Sequence, residues 1–455
     1  MLLDEEYSER TKTLIPQYGL LGSIQAKVQD TRIFLNSNNP ASFFICGLQG
    51  SGKSHTLSTL LENYLIPSPK IGVLRKPLSG LVLHFGEFNS RDAFRPCEAA
   101  YLASPDGKFA GGRTVQGVTV LVSPSNYLNL KIAYGAIPGV SVRQLKLRSR
   151  DLTIQSMLTL MSVDSTSSQP LYMAQVTKVL RDMAAVGNDF DYISFTQRLA
   201  DVDLIPGQRR MLDQRLELLE SFLDLECFDG GCFEDIRAGQ QLIIVDLSCP
   251  FVDASAACVL FNICIGLFLA ATSPEKLGKV IAVDEAHKYM TDTPASKILT
   301  EQLLSIIRQQ RHFAARIIIA TQEPTISPRL MDLASATIIH RFSSPEWFNI
   351  LRQHLSIVNS GGKEAADLFT RITSLRLGEA LVFAPSAILT VSADEFGPES
   401  SGSPDAGLWE GIAMLQGAMG KGLGTSNTKR MMSEFFKMKV RRRITADGGA
   451  TIRSV

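Results

Sequence analysis

Short apolar runs bounded by turn residues recur along the chain and alternate with segments of helical periodicity. Runs of this length, rich in Val and Ile, are typical of strands buried on both faces of a parallel sheet. Eight strands are predicted in this way, at residues 42–46, 81–85, 118–122, 241–247, 279–283, 316–320, 336–340 and 379–383. The alternation predicts an α/β fold with a mostly parallel sheet flanked by helices.

Residues 150–230 interrupt this rhythm and predict a helical insertion, because apolar residues recur there at helical spacing. Within this stretch, residues 171–186 have the same periodicity. A later segment, 254–274, has 21 residues without a charge, which is long enough for a membrane-spanning helix. However, Asn262 and Gly266 dilute it, and no cluster of Lys or Arg flanks it. We therefore expect a buried crossover helix and no membrane partner.

Shifts in pattern along the chain predict six parts. They are an N-terminal lead segment (1–40), the first half of the α/β core (41–150), the helical insertion (151–235), the second half of the core (236–395), a Gly/Ser-rich linker (396–428) and a basic C-terminal arm (429–455).

The charge is unevenly distributed over the 455 residues, although the formal net charge is only +1. Residues 421–443 contain eight basic residues and one acidic residue, so this window carries +7 and the remainder −6. The basic residues closest together are Lys437, Lys439, Arg441, Arg442 and Arg443. Three interpretations remain open: contact with nucleic-acid phosphates, contact with a neighbouring subunit or its nucleotide, or a solvated arm.

Composition excludes several protein classes and predicts a compartment. With 20% charged and 45% hydrophobic residues, the chain is not a disordered, collagen-like or small disulfide-rich protein. The first residues lack the apolar stretch of a signal peptide, and an intracellular protein, cytoplasmic or nuclear, is expected. Four cysteines in apolar runs predict buried free thiols: Cys46, Cys249, Cys258 and Cys264. No second pair of ligands follows Cys227 and Cys232 at zinc spacing, so a zinc site is not expected there.

Residues 47–54, GLQGSGKS, fit the phosphate-loop pattern G-x-x-x-x-G-K-[ST] between a predicted strand and a predicted helix. Glycines let the backbone turn its N–H groups towards phosphate oxygens, and the helix N-terminus adds positive potential. Lys53 is expected to reach the β- and γ-phosphates, and Ser54 to ligate Mg²⁺. The predicted nucleotide-binding residues are Gly47, Gln49, Gly50, Ser51, Gly52, Lys53, Ser54 and His55.

An apolar strand at 279–283 ends in two acids, Asp284 and Glu285. Beside a phosphate loop, Asp284 is expected in the Mg²⁺ shell, and Glu285 is expected to act as the general base on the attacking water. A base indicates hydrolysis rather than binding alone. The letters DEAH also suggest a two-lobed helicase, but 231 positions separate Lys53 from Asp284 and no second ATPase lobe follows.

Polar residues near the next strand are further candidates. Gln322 follows the strand at 316–320 and is predicted to touch the γ-phosphate or the attacking water, although a turn-capping role is the alternative. Arg311 lies at the end of a predicted helix, 303–311, and could project into a neighbouring subunit's nucleotide as an arginine finger or simply be solvated. Arg341 is the second arginine candidate.

Taken in order, these motifs resemble the HerA/FtsK superfamily of P-loop ATPases. The resemblance covers roughly residues 40–390 and rests on GLQGSGKSH, GEF, LIIVDLS, KVIAVDEAHKYM, RQQRHFAARIIIATQEP and LGEALVF. It implies a RecA-like core, ATP and Mg²⁺ as cofactors, and a homo-oligomeric ring, for example a hexamer, that acts as a DNA translocase or helicase-like motor. The superfamily's trans-acting arginine, ten residues before the Thr of TQ, falls on Arg311. As a departure, superfamily members often carry an Asp in the second strand shortly before Gly-Glu, whereas residues 82–85 read Val-Leu-His-Phe here, which leaves Glu87 as the only acid of the pair.

Two other functions remain open beside the motor. An ATP-dependent switch or assembly protein would hydrolyse slowly and would not move along DNA. A small-molecule phosphotransferase is less favoured, because such an enzyme needs neither the Thr-Gln pair nor an arginine acting in trans.

Overall fold

The structure of the protein is a computed structural model. It describes residues 2–4, 15–24, 31–86, 95–107, 113–154, 156–157, 171–186, 190–224, 242–271, 277–323, 326–354, 362–390, 428–430 and 435–448. The predicted linker, except for its last residue, lies outside these ranges, as do Glu87, Cys227 and Cys232.

Sixteen strands in the described ranges form one sheet. They are β1 (Leu2–Asp4), β2 (Tyr18–Ile24), β3 (Thr31–Asn36), β4 (Ser42–Cys46), β5 (Gly72–Val73), β6 (Ser79–His84), β7 (Val118–Val122), β8 (Val140–Gln144), β9 (Leu242–Asp246), β10 (Lys279–Val283), β11 (Ala315–Thr321), β12 (Ala336–Ile339), β13 (Glu379–Phe383), β14 (Ile388–Thr390), β15 (Thr428–Arg430) and β16 (Phe435–Val440). The order across the sheet is β15-β14-β1-β3-β2-β16-β13-β12-β4-β11-β10-β6-β9-β7-β8, and β5 pairs with β2.

The helices lie on both faces of this sheet. They are α1 (Lys53–Leu65), α2 (Tyr127–Gly135), α3 (Leu171–Val186), α4 (Tyr192–Ala200), α5 (Pro206–Ser221), α6 (Ala254–Ala270), α7 (Pro294–Arg308), α8 (Pro328–Asp332), α9 (Pro345–His354) and α10 (Gly362–Thr373). Short 3-10 helices occupy Glu98–Ala103, Pro124–Asn126, Ser149–Asp151 and Ala286–Lys288.

The centre of the sheet is parallel, as the sequence predicts. Strands β12, β4, β11, β10, β6, β9, β7 and β8 pair in parallel, whereas β13 and β16 run antiparallel to their neighbours. All eight predicted strands are confirmed, and their ends differ from the prediction by at most two residues. This mostly parallel α/β core with flanking helices is the predicted RecA-like fold.

Alternation along each central strand divides the apolar side chains between two cores. In β11, Ile317 and Ile319 belong to one cluster, whereas Ile318 and Ala320 belong to the other. Successive side chains of a strand point to opposite faces, and helices cover both, so near-continuous apolar runs are stable here. The first cluster contains buried residues of α3 to α10, and the second those of α1 and α2.

The predicted helical segments are present. Helix α3 has the predicted bounds 171–186, and α4 and α5 follow it before β9. The uncharged segment forms α6, a 17-residue helix that begins where the Asp253 carboxylate accepts the Ala256 N–H at 2.7 Å. In the described part of the chain, no helix combines the length and the apolar character needed to cross a membrane.

Both ends of the described chain enter the sheet. Strand β16 lies between β13 and β2, and its buried Phe436, Met438 and Val440 alternate with the exposed or partly exposed Phe435, Lys437 and Lys439. The structure therefore places this basic stretch in a sheet strand rather than on a free arm. Likewise, β1, β2 and β3 are sheet strands within the segment predicted only as a lead into the core.

Candidate active site

Three neighbouring strands bring the predicted motifs to one edge of the sheet. Strand β11 lies between β4 and β10, and all three are parallel. The phosphate loop follows β4, the two acids follow β10, and Gln322 follows β11. Because carboxyl ends of parallel strands share one edge, residues far apart in sequence converge there.

The phosphate loop has the backbone geometry that its glycines predict. Gly50 has φ 71° and Gly52 has φ 111°, both in the left-handed region that favours glycine. Lys53 then begins α1, is buried, and donates from Nζ to the Leu48 carbonyl at 3.0 Å. The loop thus turns tightly and places an ammonium group beneath its own backbone.

Electrostatics link Lys53 to the acids after β10. Burial lowers the pKa of Lys53, while the Glu285 and Asp284 carboxylates act in the opposite direction. Cys46, at the end of β4, is also buried, and its burial raises the pKa of its thiol to about 12, although the charge of Lys53 acts to lower it. Cys46 is therefore a neutral thiol beneath the loop, and the ammonium is balanced by the two carboxylates.

Glu285 adopts an unusual backbone conformation at this edge. Its φ of 50° and ψ of 42° are left-handed, a state that costs a non-glycine residue of order 1 kcal/mol. Its Oε2 accepts a hydrogen bond from Gln322 Nε2 at 3.1 Å. Strained residues of this kind concentrate at functional sites. The predicted base and the predicted polar sensor are therefore in direct contact.

The neighbouring Thr321 has a different role from Gln322. Its hydroxyl is buried and donates to the Glu323 carbonyl at 2.8 Å. Thr321 therefore caps the turn, which is the alternative role given above for this position of the chain. Of the Thr-Gln pair, Gln322 is the residue that contacts Glu285.

His287 lies beside both Glu285 and Gln322, and the sequence reasoning did not single it out. Its Nδ1 accepts the Gln322 backbone N–H at 3.3 Å and lies 3.4 Å from Glu285 Oε2. The two contacts favour different protonation states. Burial lowers the pKa of His287, so we assign the neutral ring with its proton on Nε2. Its place in the DEAH letters was the available signal.

Asp284 lies in a buried polar cluster rather than alone. Its Oδ2 accepts from His84 Nδ1 at 3.2 Å, and Cys97 Sγ lies 3.9 Å from the same oxygen. Its Oδ1 accepts the Glu285 backbone N–H, and its carbonyl accepts from the Tyr289 hydroxyl. Cys97 was also missed, because nothing in its local sequence marks it.

The residues at this edge fit a nucleotide and its divalent cation by their donor chemistry. Backbone N–H groups at the start of α1 together with Lys53 suit phosphate oxygens. The Asp284 carboxylate and the Ser54 hydroxyl are the hard oxygen ligands that Mg²⁺ prefers. Their roles remain predictions, as do those of Gly47, Gln49 and Ser51.

The two candidate arginines lie at opposite ends of the central strands, since Arg311 precedes β11 and Arg341 follows β12. Helix α7 ends at Arg308, so Arg311 is in the following turn rather than in the helix, and it is exposed. The seven residues of β11 separate it from the site by about 20 Å. By contrast, the Arg341 carbonyl accepts the N–H of Leu48 in the phosphate loop at 3.0 Å. Arg341 is thus next to its own loop, and its side chain is exposed.

The His55 ring and two arginines of the predicted arm make contacts within the chain, and the predicted nucleotide contact of His55 stays a prediction. His55 Nε2 donates to the Arg441 carbonyl at 2.8 Å, so its ring faces the C-terminal stretch. Arg441 pairs with buried Glu62 at 2.6 Å, and Arg443 pairs with Glu98. Both guanidinium groups are therefore satisfied within the chain, which contradicts their predicted contact with nucleic acid or another subunit.

The remaining arm residues keep their predicted status. Lys437 pairs with Glu379 at 2.9 Å but stays half exposed, and Lys439 and Arg442 are exposed.

His340 is a further buried residue beneath the phosphate loop. Its Nδ1 donates to the Glu379 carbonyl at 3.1 Å, so its Nε2 accepts from the Thr56 hydroxyl at 2.9 Å. Burial lowers the pKa of His340 to about 3, and the ring is neutral near pH 7. A Cβ at Gly47 would lie 2.7 Å from that of His340, which explains glycine at this position. His340 ties α1 to β13.

Comparison with known proteins gives similarity in fold only. No family model matches the sequence, and no curated protein shows a significant match. Several solved structures are similar; the values in parentheses are the sequence identity, the covered share of this chain, the covered share of the other chain, and the TM-score. One is the genome packaging NTPase B204 from Sulfolobus turreted icosahedral virus 2 in complex with AMP (identity 16%, 34% of this chain, 68% of that chain, TM-score 0.24). Another is VirB4 of Thermoanaerobacter pseudethanolicus (identity 11%, 80% of this chain, 93% of that chain, TM-score 0.48). A third is the bacterial conjugative coupling protein TrwBdeltaN70 with sulphate (identity 12%, 79% of this chain, 86% of that chain, TM-score 0.42).

Identities of at most 16% and TM-scores below 0.5 do not carry a function over to this chain. Its own residues therefore have to support any functional conclusion.

Proposed function

We propose that the chain is a Mg²⁺-dependent P-loop ATPase. The observation that carries this proposal is the hydrogen bond between Glu285 and Gln322 at the sheet edge that also holds Lys53. A carboxylate beside a phosphate loop is suited to accept a proton from water. An amide bonded to that carboxylate is suited to orient it or the water.

Each residue has a separate task in this mechanism. The loop N–H groups and Lys53 bind the phosphates, while Asp284 and Ser54 hold Mg²⁺, which neutralises phosphate charge when bound. Glu285 takes the proton of the attacking water on its carboxylate. Gln322 holds that carboxylate through its amide donor, and His287 accepts the backbone N–H of Gln322 and so positions this residue.

A ring-forming DNA translocase or helicase-like motor is the finer proposal. Arg311 is exposed and about 20 Å from its own site along β11, so its guanidinium could serve only another subunit's nucleotide. Exposed Lys439 and Arg442 remain candidates for phosphate contact. This proposal includes homo-oligomerisation, with DNA as the partner.

An ATP-dependent switch is the second candidate, and one observation favours it. Arg441 and Arg443, two of the five clustered basic residues, are occupied by internal carboxylates. The charge available to hold DNA is therefore smaller than the sequence indicates. A switch would hydrolyse ATP slowly and without stimulation by DNA.

The deciding experiment measures ATP hydrolysis by the full chain with and without duplex DNA over a salt series, together with its mass with ATP bound. The motor predicts DNA stimulation that weakens with salt and a multiple of the 49.8 kDa chain mass. A monomer without stimulation supports the switch.

Two variants test the hydrolytic site itself. Lys53→Ala should abolish nucleotide binding, whereas Glu285→Gln should bind ATP but fail to hydrolyse it. Exposed Glu346 offers a matched control, since Glu346→Gln makes the same chemical change outside the site. Hydrolysis by Glu285→Gln at the wild-type rate would show that Glu285 is not the base.

A further inference from the structure

Three potential metal ligands of different types meet in the buried cluster around Asp284. His84 ends β6, Asp284 follows the neighbouring β10, and Cys97 precedes the 3-10 helix Glu98–Ala103. One ligand atom from each lies within 4.8 Å of the others. Cys97 is 1% exposed and Asp284 5%. We propose that His84, Cys97 and Asp284 form a binding site for Zn²⁺ or a similar borderline-soft cation.

The distances fit one ion of this kind. Tetrahedral zinc with ordinary bond lengths separates a nitrogen from an oxygen ligand by about 3.4 Å, and a sulfur from an oxygen ligand by about 3.6 Å. The corresponding distances here are 3.2 Å for His84–Asp284 and 3.9 Å for Cys97–Asp284. With all three ligand atoms within 4.8 Å of one another, these separations allow three protein ligands and leave a fourth position open.

The surroundings hold Cys97 in place. Its backbone N–H donates to the Tyr134 hydroxyl at 2.9 Å, and that hydroxyl donates to Asp246 Oδ2 at 2.6 Å. Tyr134 and Asp246 are both fully buried. Supporting hydrogen bonds of this kind fix ligand orientation in metal sites. A thiol and an imidazole favour zinc over Mg²⁺, which prefers oxygen ligands.

Zinc at this site would inhibit ATP hydrolysis. Asp284 is also the acid assigned to Mg²⁺, and zinc bound to it would compete for the same carboxylate. This consequence rests on the proposed function, whereas binding of the ion does not. Two separate readouts are therefore needed.

The binding test uses Co²⁺, which reports a thiolate ligand by charge-transfer absorption, added to the reduced full-length chain. Wild type should bind one equivalent with this band and release it to Zn²⁺. Cys97→Ser should lose the band, and His84→Gln should weaken affinity by at least about tenfold. The double variant Cys227→Ser/Cys232→Ser is the control, because these two cysteines are close in sequence and could supply a thiolate ligand instead. It should keep the band.

Survival of the band in Cys97→Ser, or its loss in the double variant only, would overturn the assignment. If circular dichroism without metal shows that Cys97→Ser does not fold, the Co²⁺ affinity of His84→Gln tests the assignment instead. An unchanged affinity in that variant would likewise overturn the site. Separately, Zn²⁺ should inhibit wild-type ATP hydrolysis at saturating Mg²⁺ and inhibit Cys97→Ser less. A cobalt band in a protein without ATPase activity would refute the proposed function but leave the metal site standing.

Discussion

Replacing Arg441 by Ala should lower the free energy of unfolding by about 3 kcal/mol, because it leaves the charge of Glu62 buried without its partner. The Arg441 side chain is 8% exposed and that of Glu62 is 0% exposed. Besides Glu62 at 2.6 Å, the guanidinium donates to the Leu20 carbonyl at 2.6 Å and to Asn63 Oδ1 at 3.0 Å. The substitution therefore removes several contacts at once.

The magnitude follows from what remains around Glu62. Loss of one partner of a buried ion pair costs about 3–5 kcal/mol. Glu62 Oε1 still accepts from the Ile444 N–H, the Thr445 N–H and the Thr445 hydroxyl at 2.7–3.0 Å. These donors favour the lower end of the range. Arg441→Lys should fall between wild type and Arg441→Ala, because Lys keeps the charge but not the planar fork.

Urea unfolding followed by circular dichroism measures this change, and Arg442→Ala is the matched control. Arg442 is adjacent but exposed, so its loss should change stability by no more than about 0.5 kcal/mol. The midpoint should fall for Arg441→Ala at an unchanged slope. Equal midpoints for the two variants would refute the internal role of Arg441 and restore the interpretation of a free basic arm.

Three further predictions concern the site. Gln322→Ala should reduce the single-turnover rate of ATP hydrolysis by at least about tenfold, with little change in nucleotide affinity, because Glu285 loses its amide donor. An unchanged rate would show that this hydrogen bond does not assist hydrolysis. Burial lowers the pKa of His340 from 6.5 to about 3, so on acidification the unfolded chain binds a proton at this residue before the folded chain does. The free energy of unfolding should therefore be about 2 kcal/mol lower at pH 5 than above pH 6.5. His340→Gln should flatten that pH dependence of denaturant unfolding, and an unaltered slope would exclude His340 as its source. Arg311→Ala should bind ATP but hydrolyse it slowly, and mixing it with Glu285→Gln should restore part of the activity; no recovery argues against action in trans.

Much of the core could be predicted because its signals are local. Apolar runs such as 279–283 need no knowledge of their neighbours, and helices on both faces of a parallel sheet require such runs. The phosphate loop is likewise contiguous, and its glycines carry the positive φ angles that the pattern demands. The N-terminal strands were missed because their alternation is weak and β2 contains a register shift between Leu20 and Gly22.

The basic C-terminal stretch shows where a local signal was ambiguous. The run left three interpretations open: contact with nucleic-acid phosphates, contact with a neighbouring subunit or its nucleotide, or a solvated arm. Pairing of β16 with β13 and β2 places most of the run in the sheet instead. Its charges then divide between internal pairs, as for Arg441, and exposed positions, as for Arg442.

The sequence by itself determined the α/β class, the phosphate loop and the identities of the acidic and amide residues at the strand ends. Only the tertiary structure decided which of them touch. Gln322 meets Glu285 across 37 positions, Cys97 and His84 meet Asp284 across 187 and 200, and Arg441 meets Glu62 across 379. Contacts at such separations depend on strand order and on which face each side chain takes, and no local pattern encodes either of these.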